Sequence, residues 1–132
     1  MITTLYAGLL AILYLFLSAY VIRGRYKYQV GLGDGGNPAL ARRVRIHGNF
    51  VEYVPFALLL LYMIDNAQYS PFIVHMLGMM LVIGRVLHAW GLSTSETVSF
   101  GRFAGMVLTL VMIAACAILL IWKFLILRMN GL

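Results

Sequence analysis

Residues 42–64 read RRVRIHGNFVEYVPFALLLLYMI, and they decide the fold because they run ionisable side chains straight into a strongly apolar segment. The second half of this stretch, residues 53–64, is apolar and uncharged but too short to cross a membrane alone. A transmembrane helix needs roughly 20 mostly apolar residues to cross about 30 Å of hydrocarbon. A spanning helix here must therefore begin upstream and include arginine, asparagine and glutamate side chains.

The composition of the whole chain agrees with a membrane protein. Of its 132 residues, 63% are hydrophobic and only 11% are charged, whereas about a quarter of the residues of a soluble domain are charged. The single cysteine, Cys116, lies in an apolar run and has no partner for an intramolecular disulfide. We therefore expect one all-α domain over residues 1–132, an integral membrane four-helix bundle subunit.

Four segments have the length and apolarity of membrane spans. The predicted spans are 2–22, 42–65, 71–92 and 102–123. The first lacks charged side chains and is stopped by Arg23, Arg25 and Lys27. The connections between the spans are predicted at residues 24–41, 66–70 and 93–101.

The basic residues indicate the orientation of the chain in the membrane. They cluster in and around the first connection and beside the third, and the turn at 66–70 has none. Because basic residues favour the cytoplasmic side, we expect the first and third connections to be cytoplasmic and both termini to be non-cytoplasmic. The net charge of +6 then reflects topology and contact with anionic membrane lipids, and we expect no nucleic-acid partner.

The glycine-rich segment GLGDGG at 31–36 matches the dinucleotide-binding pattern G-x-G-x-x-G. That pattern indicates a dinucleotide site only between a strand and a helix, and here it lies between two predicted membrane helices. We interpret it as a turn, with Asn37-Pro38 beginning the next helix. No cluster of His, Cys, Asp or Glu has the spacing of metal ligands, so no metal is expected.

The strongest functional signal is a polar stripe on the second span. Arg42, Arg45, Asn49 and Glu52 are spaced i, i+3, i+7 and i+10, which places them along one side of a helix. His47 lies off this stripe, toward one flank. An ionised group at the centre of a membrane costs at least about 2.5–3.5 kcal/mol. Such groups therefore face a bundle interior or a wet cavity, and they are functional candidates.

The other spans contribute more positive charge at a similar depth. Arg85 and His88 share one face of the third span, Arg102 begins the fourth, and Arg23 ends the first. One interpretation is a structural network in which Glu52 neutralises one arginine and the others reach the headgroups. The second is a site for a small anionic ligand, because the arginines outnumber the single deep acid.

These residues resemble the signature of the membrane-associated proteins in eicosanoid and glutathione metabolism, the MAPEG family. The pattern is R-x-H-x-N-x-x-E followed by P-F, together with G-R-x-x-H and an arginine that begins the fourth helix. The matching residues are Arg45, His47, Asn49 and Glu52 with Pro55-Phe56, preceded by Arg42; Gly84, Arg85 and His88; and Arg102. The short loops look most like those of the small bacterial inner-membrane members.

The resemblance implies a homotrimer with glutathione bound between neighbouring subunits, near the cytoplasmic side. Glutathione would be held by Arg45, Asn49, Glu52, His88, Arg42 and Arg23. Glu52 would take the glutamyl ammonium and the arginines the carboxylates, while Arg102 would be the catalytic residue beside the sulfur. Arg85 and His47 would belong to a structural polar network.

The implied function is a glutathione-dependent transferase or peroxidase acting on lipophilic electrophiles that enter from the lipid. In active members hydroxyl residues often follow the fourth-helix arginine, but here those positions are Phe103 and Met106, and Leu92 stands where some members have tyrosine. The alternative is therefore a non-catalytic membrane protein that binds glutathione-like or lipid ligands. A small proton-coupled transporter is disfavoured because residues 1–22 contain no acid.

Overall fold

The computed structural model describes residues 1–94, 99–129 and 131, and these residues form four α-helices. The helices are α1 (Thr3–Tyr28), α2 (Pro38–Asn66), α3 (Pro71–Thr94) and α4 (Phe100–Met129). Each helix is long and apolar enough to cross a membrane. The prediction of an all-α, four-helix membrane protein is confirmed.

The first connection is shorter than the sequence suggested. We expected a loop over residues 24–41, but α1 continues to Tyr28 and α2 begins at Pro38. The expectation was wrong because charged residues mark the edge of the hydrocarbon, whereas backbone hydrogen bonds of a helix continue into the headgroup region.

The separate prediction that Asn37-Pro38 begins the next helix is confirmed. The Asn37 side chain accepts hydrogen bonds from the backbone of Ala39 and Leu40, and Pro38 occupies the first helical position.

The glycine-rich segment forms the turn between α1 and α2. Gly33, Gly35 and Gly36 all have positive φ angles, of 67°, 59° and 72°, which glycine adopts without steric cost. Asp34 Oδ1 accepts the backbone N–H of Gly36 at 2.9 Å and closes the turn. Among the described residues there is no strand, so the segment lacks the strand–turn–helix context of a dinucleotide site.

The four helices pack in a defined order around an apolar core. α3 and α4 form the closest pair, α2 contacts every other helix, and α1 contacts α2 and α3. The face of α2 that enters the core repeats every three or four residues, as expected for one side of a helix. Its buried apolar residues are Ile46, Phe50, Val54, Ala57, Leu61 and Ile64.

Glycines bring α3 and α4 into backbone contact. A methyl group added at Gly105 would lie 2.4 Å from the carbonyl oxygen of Gly84 and 2.5 Å from the backbone nitrogen of His88. One added at Gly91 would lie 2.2 Å from the backbone nitrogen of Arg102. Small residues at membrane-helix interfaces permit this approach. The glycines therefore fix the start of α4 against the second half of α3.

Polar contacts join the helices at the end of the bundle that contains the N-terminus, opposite the start of α4. Asp65 Oδ2, at the end of α2, accepts the backbone N–H of Thr3 at 2.8 Å and its hydroxyl at 2.9 Å. The carboxylate thus satisfies a free N–H group in the first turn of α1, as a capping side chain does. Tyr69, in the turn before α3, donates its hydroxyl to the carbonyl of Leu119 on α4.

Candidate functional site

Two of the three charged residues of the α2 stripe, Arg45 and Glu52, form an ion pair on the outer surface of the chain. Arg45 Nη1 lies 3.0 Å from Glu52 Oε1, and the side chains are 61% and 50% exposed. Glu52 is at the midpoint of α2, since fourteen residues of the helix lie on each side of it. A half-exposed carboxylate therefore lies halfway along α2, beside exposed apolar side chains such as Val51 and Phe56.

The amide of the stripe points into the bundle instead. Asn49 is 7% exposed, and its Oδ1 accepts a hydrogen bond from Arg85 Nη1 at 2.9 Å. Arg85 is 2% exposed, and its guanidinium also lies over the ring of Tyr53, 5.8 Å from the centroid. Within the described part of the chain, Nε and Nη2 of Arg85 have no hydrogen-bond partner. Asn49 and Arg85 thus form a buried polar contact between α2 and α3.

His88 lies where α3 packs against α4, since a methyl group added at Gly105 would lie 2.5 Å from its backbone nitrogen. It is 6% exposed and lies one turn after Arg85 on the same face of α3. The charges of Arg85, Arg102 and Arg45 all act on its imidazole. The structure therefore brings the predicted residues Arg85, His88 and Arg102 together in one basic locus where α3 packs against α4.

Arg102 is held by the first turn of α4 and by the glycine contact with α3. The Ser99 hydroxyl accepts the backbone N–H of Arg102 at 3.3 Å and donates to the carbonyl of Gly91 at 2.8 Å. Among the residues that the structure describes, no hydrogen bond or ion pair engages the Arg102 side chain, which is half-buried. Its guanidinium is therefore available to a ligand beside His88.

The remaining predicted residues lie away from this locus. Arg23 is exposed near the end of α1. Arg42 is half-buried and lines a cavity of about 190 Å³ with Tyr20, Arg43 and Ser93. These two arginines do not complete the His88 locus within one subunit.

His47 belongs to the contact between α1 and α2. Its Nε2 is 3.1 Å from the hydroxyl of Ser18, and its ring lies 5.2 Å from that of Tyr14. The residue therefore holds α1 against α2, on the flank that the helical spacing indicated.

Two features of the site were not found from the sequence. Tyr53 supplies an aromatic face to the buried Arg85, and its position next to Glu52 in an apolar run gave no signal. The glycine contacts that place Arg102 beside α3 were also missed, although Gly84 and Gly91, and Gly101 and Gly105, fall on single helix faces. Glycines spaced seven and four residues apart are the sequence signal that would have indicated these contacts.

The fourth helix offers no free hydroxyl to the site. Phe103 is 62% exposed, and Met106 is half-buried. Thr109 is fully buried and donates its hydroxyl to the carbonyl of Gly105 at 2.9 Å. In the described ranges, moreover, no group of three or more His, Cys, Asp or Glu side chains is placed to hold a metal ion.

Comparison with known proteins identifies the family. The model of the MAPEG family matches residues 3–122. The chain belongs to the MAPEG family. This family includes glutathione transferases and related proteins, and its match covers α1 to α3, most of α4 and the locus around His88.

Relatives within the family are small bacterial proteins. The inner membrane protein YecN of Escherichia coli strain K12 is 41% identical over 91 residues, which are 69% of this chain and 70% of YecN. The uncharacterized protein sll1147 of Synechocystis is 30% identical over 121 residues, 90% of this chain and 88% of that protein. Together with the four membrane-spanning helices, these likenesses make the chain an integral inner-membrane protein of the small bacterial type.

Proposed function

We propose that this protein binds glutathione between the subunits of a homotrimer and uses its thiolate to attack lipophilic electrophiles from the membrane, as a transferase or peroxidase. The observation that carries the proposal is the half-exposed pair of Arg45 and Glu52, which lies on the outer surface of the chain with Glu52 halfway along a helix that is long and apolar enough to cross a membrane. Charged groups in contact with lipid are costly. A neighbouring subunit and a polar ligand would remove that cost by covering the pair.

The charges of the pair suit a ligand that carries both signs. Glutathione has one ammonium group and two carboxylates, so Glu52 accepts the ammonium while Arg45 binds a carboxylate. Arg45 Nη1 donates to Glu52 Oε1 at 3.0 Å, so on binding each side chain would exchange this partner for a group of opposite charge on the ligand. In this proposal Asn49 and His88 line the inner wall of the site, whereas Arg42 and Arg23 lie away from it within the chain.

Arg102 supplies the chemistry in this proposal. A free thiol has a pKa of about 8.5, and neighbouring cations lower it, so that the nucleophilic thiolate is populated near neutral pH. The half-buried guanidinium of Arg102 and the positive locus around His88 provide that field. The thiolate sulfur then forms a bond to the electrophilic carbon, and the leaving group departs with the electron pair. The protein itself supplies no nucleophile and no metal in this reaction.

The test begins with binding and continues with turnover. The purified protein in detergent is titrated with glutathione and with S-hexylglutathione while its melting temperature is followed, and conjugation to 1-chloro-2,4-dinitrobenzene is then measured. We expect both ligands to stabilise the protein. Arg102→Gln should lose conjugation and keep binding, and Arg102→Lys should keep part of the conjugation. Lys123→Gln, at the other end of α4, is the control.

Two outcomes would contradict the proposal. Absence of stabilisation by either ligand would exclude a glutathione site of any kind. Equal turnover by the Arg102→Gln and Lys123→Gln variants would exclude the role of Arg102.

A second candidate is a non-catalytic binding protein of the same membrane site. It is favoured by α4, where Phe103 and Met106 cannot donate a hydrogen bond to sulfur and Thr109 is already bonded to Gly105. In that case glutathione would stabilise the wild-type protein, yet no thiolate absorbance and no conjugate would form. The same titration and assay therefore distinguish the two functions.

The proposal also fixes an orientation, with the basic ends of the helices and the glutathione site in the cytoplasm and both termini outside it. Alkaline phosphatase fused after residue 132 should be active, and a green fluorescent protein fused there should be dark. The opposite pair of results would invert the topology and remove the site from the glutathione-containing compartment.

A further inference from the structure

We infer that each subunit carries a separate site for an anionic phospholipid of the membrane, in a groove between α1, α2 and α3. The groove has an apolar part of about 360 Å³ and a basic mouth of about 190 Å³, and the two share Tyr20, Ile46 and Ser93 in their walls. The site lies within one subunit and does not depend on the glutathione proposal.

The apolar part has the shape and chemistry to take an acyl chain. Its α1 wall runs from Leu13 to Tyr20 and its α3 wall from Val86 to Ser93, so that each wall is about 10 Å long at 1.5 Å per residue. Ala89 provides the floor on α3. An apolar groove of this length, open to the lipid along its side, is lined by side chains that match a hydrocarbon chain.

The mouth carries positive charge in a fixed position. Arg43 Nη1 donates to the carbonyl of Tyr20 at 3.0 Å, and its guanidinium lies 4.1 Å from the centre of the Tyr20 ring. A methyl group added at Gly24 would lie 2.9 Å from Arg43 Cδ, so this glycine makes room for the arginine to cross α1. Arg42 lines the same mouth. The Arg43 guanidinium is therefore held in place by α1, and among the described residues only its Nη1 donates a hydrogen bond, so that most of its five donors remain for another group.

The charge of the mouth selects the headgroup. A planar guanidinium with several free donors matches a phosphate in charge and geometry. Basic pockets between membrane helices on the cytoplasmic side bind anionic phospholipid headgroups in the same way. When the phosphodiester of a glycerophospholipid binds Arg43, an acyl chain on its glycerol can lie along Ala89. One lipid molecule therefore occupies both parts of the groove.

Tryptophan fluorescence provides a direct test, because Trp90 forms an edge of the groove and Trp122 lies on α4 outside it. The two side chains have nearly equal exposure, 60% and 61%. The Trp122→Phe variant reports on Trp90 alone, and Trp90→Phe reports on Trp122 alone. Each is placed in vesicles in which a growing fraction of the lipid carries brominated acyl chains, either as phosphatidylglycerol or as phosphatidylcholine.

We expect Trp90 to be half-quenched at a fraction of brominated phosphatidylglycerol about fivefold lower than the fraction of brominated phosphatidylcholine that is needed. This is the preference for an anionic lipid that one arginine at a membrane surface provides. Trp122 should show no preference. Arg43→Gln should abolish the preference of Trp90, and Arg43→Lys should retain part of it, because the charge stays and the planar fork is lost.

A second variant keeps the test decisive if Arg43→Gln does not fold. Ala89→Leu fills the groove without changing its charge, and it should also abolish the preference of Trp90 for phosphatidylglycerol. Equal quenching by the two lipids, an unchanged preference in Ala89→Leu, or the same preference at Trp122 would overturn the inference. Displacement of the brominated phosphatidylglycerol by 1-chloro-2,4-dinitrobenzene would also overturn it, since the groove would then be the site of the electrophile.

Discussion

Replacing Gly105 by alanine should separate α4 from α3 at the point where Arg102 and His88 are brought together. The new methyl carbon would lie 2.4 Å from the Gly84 carbonyl oxygen, 2.5 Å from the His88 nitrogen and 2.8 Å from His88 Cβ. Two of these atoms belong to the backbone, so no side-chain rotation relieves the overlap. Ordinary van der Waals contact begins at 3.4 Å, and the helices must therefore move apart by about 1 Å.

The cost follows from this displacement. Overpacking a well-packed interface costs about 1–3 kcal/mol, and the better helix propensity of alanine returns about 0.5–1 kcal/mol. We expect the free energy of unfolding to fall by about 1–2 kcal/mol. A shift of 1 Å between groups that act on one substrate can reduce a rate by about a hundredfold, and we expect the conjugation rate to fall by that order.

The assay compares Gly105→Ala with two alanine variants in open space. Unfolding is followed by tryptophan fluorescence in mixed micelles of increasing denaturing detergent, and conjugation is measured under native conditions. Gly8 on α1 and Gly48 on α2 have nothing within 4 Å of an added methyl group, so their alanine variants should be as stable as the wild type or more so. If Gly105→Ala behaves like Gly8→Ala in both assays, the backbone contact of α3 and α4 does not position the site.

Further substitutions test three other contacts. Asn49→Leu removes the hydrogen-bond acceptor of the buried Arg85 and should cost about 1.5–3 kcal/mol of stability; Asn49→Asp should recover it, and equal stability of all three proteins in detergent unfolding would contradict the contact. Glu52→Gln should change stability by less than about 1 kcal/mol, because its ion pair is half-exposed, yet abolish the thermal shift with glutathione; a large loss of stability with binding retained would make the pair structural. Asp65→Ala should cost about 1 kcal/mol through loss of the α1 cap, and Thr3→Val should cost less, because the backbone N–H of residue 3 still donates to Asp65; the double variant should cost no more than Asp65→Ala, and additive losses would show that the two side chains act separately.

The four helices were predictable because the signal that specifies them is local. A span of about 20 apolar residues must be helical in a membrane to satisfy its own backbone, and the Asn37-Pro38 cap acts over three residues. The ends of the helices were less predictable. Arg23 and Arg25 mark the membrane edge, but α1 continues to Tyr28 because helical hydrogen bonds do not require an apolar surrounding.

The sequence by itself determined which residues are polar within the spans, and therefore which residues are candidates for function. Only the tertiary structure decided how they are used, since Asn49 turns inward to Arg85 while Glu52, three residues on, faces outward and binds Arg45. Three residues on a helix differ by about 60° in direction. The spacing of residues gives that angle, but it does not show which neighbouring helix each side chain faces. The neighbours are set by contacts between residues far apart in the chain, such as the glycine contact of α3 and α4.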